Sequence, residues 1–356
     1  MTLTRSLAAL GQSIWLDNIT RPLLDSGTLA RYVTELDVTG LTSNPTIYDR
    51  AIGTTDAYDA QIAGATAAGE SAEDVFFELA LDDLRRAADL FRPVFDRTGG
   101  IDGFVSLEVS PTLAYDAAVT ASEAKRLWAL GGRPNLLIKI PGTTEGLVAI
   151  EDVIFAGVPV NVTLLFSPAQ YVACFEAYTR GIERRVAAGL PAYVPSVASL
   201  FISRWDPFTA ASLPADLQLQ AGLAVGREAY VEYRRLIAEP RWQALIEAGA
   251  HPQRLLFAST GTKDPSASVT LYVAGLAAPD TVDTVPEETL LAAGREDAVA
   301  TALSADATSS AANLARLTVA GLDVAAAADA LQRKGAEAFV ASWTSLIARI
   351  EAKARG

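Results

Sequence analysis

The chain has 356 residues, of which 50% are hydrophobic, so it can bury a large core and is too apolar to be disordered. Its formal net charge of −13, with no Lys/Arg-rich run, argues against nucleic-acid binding, which needs basic patches. One cysteine (Cys174) and one histidine (His251) exclude a disulfide framework and a His-cluster metal site.

Short apolar, β-branched segments alternate along the chain with longer segments of helical periodicity, a pattern typical of βα units. The predicted strands are IWLDNIT (14–20), VTGLTSN (38–44), FVSLEVS (104–110), NLLIKIP (135–141), VPVNVTLLF (158–166), YVPSVASLF (193–201), RLLFASTG (254–261) and, more weakly, DTVDTVP (280–286). The predicted helices cover residues 71–91, 119–130, 145–155, 168–188, 218–238, 240–248, 293–304 and 323–353.

Eight strands separated by helices predict an α/β fold, the TIM (β/α)8 barrel. The chain exceeds the ~250 residues usual for that fold. We assign the extra length to N- and C-terminal helices and to residues 46–100 and 205–252, and expect a single domain over residues 1–356. A doubly wound open sheet is the alternative, but no G-x-G-x-x-G follows an early strand.

Polar side chains interrupt the predicted strands near their C-terminal ends, where TIM-barrel enzymes place their catalytic residues. These residues are Asp17, Asn44, Glu108, Lys139, Asn161, Thr163, Ser199, Ser259 and Thr260. Because they come from different strands, we expect them to face one another at one end of the barrel.

Lys139 is the only charge in the apolar strand LLIKIP. Lysine is almost never fully buried unless it is paired or functional. Burial disfavours the ammonium form and favours the free amine, which attacks carbonyl carbons. The alternative is a structural lysine that reaches solvent from an edge strand or pairs with Glu108.

Glu108 and Asp17 supply two carboxylates at the same end of the barrel. Schiff-base aldol chemistry needs one proton transfer to form the imine and another to remove a hydroxyl proton during C–C cleavage, and differently tuned carboxylates suit these tasks. The alternative is structural: Asp17 caps a loop and Glu108 forms a salt bridge.

Neutral and cationic groups complete the predicted site. Asn44, Asn161, Thr163 and Ser199 suit a polyhydroxylated substrate, although such residues also cap helices and shape turns. Arg204 and Lys263 follow the sixth and seventh strands, where TIM barrels often bind phosphate, or else they are solvated loop residues.

Four segments carry a resemblance to the transaldolase family that spans nearly the whole chain. They are Gly40-Leu41-Thr42-Ser43-Asn44-Pro45-Thr46, Ile138-Lys139-Ile140-Pro141-Gly142-Thr143 with Glu145-Gly146, Asn161-Val162-Thr163-Leu164-Leu165-Phe166-Ser167, and Ser199-x-Phe201-x-x-Arg204. The segments stand in the same order as in the family. Many members have an arginine in the strand-7 phosphate loop, where this chain has Lys263.

The resemblance implies a reaction of the non-oxidative pentose phosphate pathway. Lys139 would attack the ketone of sedoheptulose 7-phosphate or fructose 6-phosphate and pass a dihydroxyacetone unit to glyceraldehyde 3-phosphate or erythrose 4-phosphate. Glu108, with a water held by Thr163, would move protons, and Asp17 would act as base on the C4 hydroxyl. Substrate would be bound by Asn44, Asn161, Ser199, Phe201, Arg204, Ser259 and Lys263.

The resemblance implies no metal and no organic cofactor, because the imine itself is the electron sink. The expected partners are sugar-phosphate substrates, with no nucleic acid and no membrane, in a monomer or homodimer. The opening MTLTRSLAAL is a poor signal peptide, which predicts a cytoplasmic protein.

Two other functions remain open. A class I aldolase would use the same lysine but release the three-carbon unit instead of transferring it. A non-catalytic barrel would bind sugar phosphates or a protein partner; such a descendant is expected to have lost Lys139, Glu108 or Asp17, and the chain retains all three.

Overall fold

In the computed structural model, which describes residues 1–355, eight parallel strands close into a barrel in chain order, with β8 paired to β1. The strands are β1 (Ser13–Leu16), β2 (Val38–Leu41), β3 (Val105–Glu108), β4 (Leu136–Pro141), β5 (Val160–Leu165), β6 (Ser196–Phe201), β7 (Arg254–Ala258) and β8 (Val282–Val285). The predicted TIM barrel is confirmed, and the open doubly wound sheet is excluded because a closed barrel has no edge.

Helices surround the barrel. They are α1 (Leu3–Leu10), α2 (Arg21–Asp25), α3 (Thr28–Glu35), α4 (Pro45–Thr54), α5 (Asp59–Ala67), α6 (Ala72–Arg97), α7 (Ala117–Gly131), α8 (Thr144–Phe155), α9 (Pro168–Ala187), α10 (Trp205–Thr209), α11 (Ala221–Ala238), α12 (Pro240–Glu247), α13 (Leu271–Gly275), α14 (Glu287–Ala293), α15 (Ala307–Val319) and α16 (Val324–Ala354). The extra residues 46–100 and 205–252 are therefore largely helical. Among residues 1–355, no helix is both long and apolar enough to cross a membrane.

The strands are shorter than the apolar segments that predicted them. Asp17 and Ser259 are the first residues after β1 and β7, and Asn44 lies in the loop after β2, so these three are not strand residues as predicted. The apolar segments continue into loops that turn over the barrel end, where pairing stops but burial does not. Glu108, Lys139, Asn161, Thr163 and Ser199 lie within strands, as predicted.

The predicted helix over residues 293–304 is wrong. Helix α14 ends at Ala293, and residues 294–306 run without a helix until α15 begins. This segment bonds to the N-terminus instead: the Leu3 backbone N–H donates to Glu296 O at 2.9 Å, and Thr2 and Asp297 form an isolated antiparallel bridge. The alanine-rich composition favours a helix locally, but long-range pairing determines the conformation.

Helix α16 crosses the end of the barrel at which the strands terminate. Gln332 Nε2 donates to the carbonyl oxygens of Gly142 and Leu164, both at 2.9 Å, just beyond β4 and within the end of β5. Further along, Arg349 Nε donates to Asp49 Oδ1 of α4 at 2.6 Å. The helix starts at Asp323, whose side chain accepts from the Ala326 backbone N–H at 3.0 Å and so caps it.

Candidate functional site

A cavity of about 390 Å³ opens at the C-terminal ends of the strands, and we call this opening the mouth. Its lining includes eight of the eleven predicted site residues: Asp17, Asn44, Lys139, Ser199, Phe201, Arg204, Ser259 and Lys263. The other three, Glu108, Asn161 and Thr163, are buried in β3 and β5 behind this lining. The sequence prediction therefore located one real cluster at the expected end of the barrel.

Lys139 projects from the fully buried strand β4 and is only 4% exposed. Its Nζ donates to the Ser43 carbonyl oxygen and to Glu108 Oε2, each at 3.1 Å. The solvent-exposed edge-strand alternative is wrong, because β4 lies inside a closed barrel. The pairing with Glu108 is real, and it holds the amine at the base of the cavity. Glycine at position 146 lets helix α8 approach the end of β4, since a Cβ there would lie 1.9 Å from Pro141 O.

The two carboxylates differ in their surroundings. Glu108 is 3% exposed, and burial raises its pKa, an effect that the Lys139 ammonium opposes. Burial also raises the pKa of Asp17, opposed by Lys139 and by a hydrogen bond of 2.8 Å from Thr42 Oγ1. Burial therefore favours the protonated form of each carboxyl group more than water does, and Lys139 opposes this in both. Within residues 1–355, no group of three or more His, Cys, Asp or Glu side chains could hold a metal ion.

Neutral hydrogen-bonding groups connect β3, β5 and β6 beside the lysine. Ser199 Oγ donates to Asn161 Oδ1 at 2.7 Å, and Asn161 Nδ2 donates to Ser106 Oγ at 3.1 Å. Thr163 Oγ1 and Glu108 Oε1 are buried and have no hydrogen-bond partner among residues 1–355. A buried polar atom without a partner costs about 1–3 kcal/mol, so both atoms favour a bound water or substrate hydroxyl.

Asn44 caps a helix, as its sequence allowed, and also lines the cavity, while its contact with substrate stays a prediction. Its side chain accepts from the Ile47 backbone N–H at 3.1 Å and so caps helix α4, and the same residue lines the cavity. The cap fixes the side chain at the mouth, because a side chain held by a backbone N–H loses its rotational freedom.

Cations line the outer part of the cavity. Arg204, Lys263 and Arg50 form no salt bridge within residues 1–355. Burial lowers the pKa of Arg204, which indicates a partly desolvated guanidinium. Ser259 has φ +56°, a left-handed conformation that non-glycine residues rarely adopt, and its Oγ lies 3.0 Å from Ser203 Oγ. Unpaired cations around a shaped loop suit an anionic ligand such as phosphate.

Several residues of the mouth were not among the predicted site residues, and two of them, Phe339 and Arg50, bear on its chemistry. Phe339 of α16 lies with its ring centroid 5.7 Å from Lys139 Nζ, although it is far from Lys139 in sequence. No local motif indicates that approach. Arg50 could have been found: α4 begins at the mouth, and residues 46, 47 and 50 of α4 line the cavity at helical spacing.

Comparisons with known proteins indicate the family of this chain. The family model described as Transaldolase/Fructose-6-phosphate aldolase matches residues 14–350. Among curated proteins, a transaldolase of Thiobacillus denitrificans is 41% identical, over 98% of this chain and 100% of its own. A transaldolase of Acidothermus cellulolyticus is 44% identical, over 97% of this chain and 95% of its own. A third, from Saccharopolyspora erythraea, is 43% identical over 98% and 97%.

The family that the sequence motifs indicated is thus confirmed by matches along almost the entire chain, and so is the prediction that the chain is an enzyme of the transaldolase type. With a closed eight-stranded barrel and a buried lysine at its mouth, the chain belongs to the transaldolase/fructose-6-phosphate aldolase family.

Proposed function

We propose that this chain is a transaldolase that transfers a dihydroxyacetone unit from a ketose phosphate to an aldose phosphate through a Schiff base on Lys139. The donors are sedoheptulose 7-phosphate and fructose 6-phosphate, and the acceptors are glyceraldehyde 3-phosphate and erythrose 4-phosphate. The proposal rests on one observation: Lys139 lines the cavity, is buried, and holds its Nζ 3.1 Å from Glu108 Oε2.

Imine formation uses Lys139 and Glu108. A neighbouring carboxylate deprotonates the Lys139 ammonium. The free amine attacks the C2 carbonyl carbon and gives a carbinolamine, which loses water to form the imine. Glu108 suits this proton transfer because Oε2 contacts Nζ while Oε1 has no protein partner within residues 1–355. Thr163 Oγ1, likewise unpartnered, would hold the water that carries the proton.

Cleavage uses Asp17. Its carboxylate removes the proton of the C4 hydroxyl, the C3–C4 bond breaks, and the electron pair flows into the imine to give an enamine of dihydroxyacetone on Lys139. The aldose phosphate leaves. Asn44, Asn161 and Ser199 would hold the enamine hydroxyls until C3 attacks the aldehyde of the incoming acceptor and reverses these steps.

Arg204, Ser259 and Lys263, which line the cavity, would bind the phosphate. Lys263 would bind as a point charge and not as a bidentate fork, so Arg204 supplies the directional contact. Phe201, 7% exposed, lines the same cavity and would contact the carbon chain.

The experiment is borohydride reduction with fructose 6-phosphate, followed by peptide mass spectrometry, with Lys139→Met as control. We expect a dihydroxyacetone-derived adduct on Lys139 and none on the variant. No adduct on the wild type would favour a binding barrel and contradict the proposal. Adding erythrose 4-phosphate then separates transfer from the aldolase alternative, since an aldolase releases dihydroxyacetone at the same rate with or without the acceptor.

The proposal includes the cellular location of the reaction and the domain organisation of the chain. Phosphorylated sugars are charged and do not cross a hydrocarbon layer unaided, which supports the cytoplasmic location expected from the sequence. We also propose that residues 1–356 act as a single barrel domain, since residues of β4, β6, β7 and β8 and of the loops after β1 and β2 line one cavity.

A further inference from the structure

Helix α16 covers the mouth beside the lysine. Gln332 bonds to carbonyl oxygens at the ends of β4 and β5, and Phe339, 4% exposed, lies against Lys139 with 5.7 Å between Nζ and the ring centroid. The cations Arg204 and Lys263 line the same cavity. One cavity therefore combines an aromatic ring over the amine with cations that are proposed to bind phosphate.

This cover is fixed in place. Ser342 Oγ lies 2.8 Å from Thr46 Oγ1, Arg349 binds Asp49 at 2.6 Å, and Lys353 Nζ donates to Thr55 O at 3.0 Å. These contacts tie α16 to α4 and to the loop that follows it, and they continue well beyond Phe339. The ring is accordingly held over the amine by the whole helix and not by its own packing alone.

Water above the lysine would divert the proposed reaction. After cleavage, the enamine on Lys139 either attacks an aldehyde acceptor through C3 or takes a proton at C3 from water. In the second case hydroxide adds to C2 of the resulting iminium, the C2–N bond breaks, and dihydroxyacetone leaves while Nζ regains a proton. Water is consumed as the only co-reactant, so excluding it favours transfer over release.

We propose that Phe339 determines reaction specificity: its ring keeps water from the lysine-bound enamine and so favours transfer over release of dihydroxyacetone. The inference rests on the proposed function. Phe339 neither donates nor accepts a proton, so it is a specificity-determining residue and not a catalytic one. The ring also faces the Lys139 ammonium, so its π face is a second, separable property.

The test measures the ratio of dihydroxyacetone released to dihydroxyacetone transferred, with fructose 6-phosphate as donor and erythrose 4-phosphate as acceptor. Phe339→Leu keeps an apolar side chain over the amine but removes the π face. Phe339→Val and Phe339→Ala remove progressively more of the side-chain volume over the amine. Leu346→Ala is the matched control, because Leu346 is fully buried on the same helix but does not line the cavity. If the alanine variant does not fold, valine compared with leucine carries the test.

We expect the ratio to rise with the volume removed, by about tenfold in Phe339→Ala, equal to ~1.4 kcal/mol of relative barrier, and to stay within about twofold in Phe339→Leu and Leu346→Ala. The proposal would be overturned if the ratio did not change in Phe339→Val and Phe339→Ala. It would also be overturned if the ratio rose as much in Phe339→Leu as in Phe339→Ala. Borohydride trapping of each variant separates the two hypotheses: an adduct with an unchanged ratio refutes the role of Phe339 alone, whereas a wild type without an adduct refutes the proposed function.

Discussion

Replacing Lys139 by methionine should abolish turnover and make stability depend on pH. The substitution keeps an unbranched side chain but deletes Nζ, with its contacts of 3.1 Å to Ser43 O and Glu108 Oε2. Activity should fall below about a thousandth of wild type, because the substitution removes the amine that is proposed to form the imine. Breaking a buried ion pair by removing one partner costs about 3–5 kcal/mol in unfolding free energy, because the remaining charge is uncompensated.

Glu108 can avoid that cost by keeping a proton. Its pKa is already raised by burial and loses the opposing influence of Lys139 in the variant. Below the ordinary glutamate pKa of ~4.3, the folded and unfolded chains are both protonated, and only the lost hydrogen bonds count, about 1–2 kcal/mol. Above it, the unfolded chain ionises first, so the variant loses about 1.4 kcal/mol per pH unit up to the raised folded pKa.

Urea unfolding at pH 5 and pH 8, followed by tryptophan fluorescence, measures this difference. The variant should be further below wild type at pH 8 than at pH 5, and Lys139→Met combined with Glu108→Gln should reduce this difference; Asp17, whose pKa Lys139 also lowers, accounts for the remainder. An equal loss of unfolding free energy at the two pH values would refute the reasoning, since it would mean that Glu108 is not the group left uncompensated.

Three further predictions concern single side chains. Thr163→Val should lower kcat by about 10- to 100-fold without lowering the free energy of unfolding, because Thr163 Oγ1 has no partner among residues 1–355; an unchanged kcat would contradict its role. Burial raises the pKa of Asp283 to about 7, so wild-type stability should decline between about pH 4 and pH 7, and Asp283→Asn should reduce that slope in urea titrations; parallel curves would contradict it. Arg204→Ala and Lys263→Ala should each raise KM for fructose 6-phosphate about tenfold and leave KM for unphosphorylated fructose unchanged. Arg316→Ala, an exposed control, should change neither KM. Equal effects on both sugars would contradict the phosphate assignment.

The sequence predicted the barrel and its chemistry because both depend on local patterns. An apolar strand with one lysine, LLIKIP, needs no tertiary information to stand out, and Glu108 is its direct neighbour in the barrel register. The same local patterns placed all eight strands, although they extended several of them into loops whose residues are also buried.

The features that the sequence did not predict depend on contacts between distant segments. Phe339 reaches Lys139 only because Gln332 and the α4 contacts set the path of α16, and an amphipathic helix alone does not tell which surface it covers. Residues 294–306 have a composition that favours a helix but bond to the first residues of the chain. In both cases the energy that decides the conformation comes from partners at least 168 residues away.

Barrel closure has a consequence for how the protein is made. Ser13 of β1 pairs with Val282 of β8. During synthesis, one edge of β1 therefore has no strand partner until β8 has left the ribosome. At about 5–20 residues per second, that interval is on the order of 15–50 s. Throughout it the nascent chain exposes strand edges to other molecules. Helix α16 leaves the ribosome after β8, so a chain stalled at that point would have all eight strands but not the helix that covers Lys139.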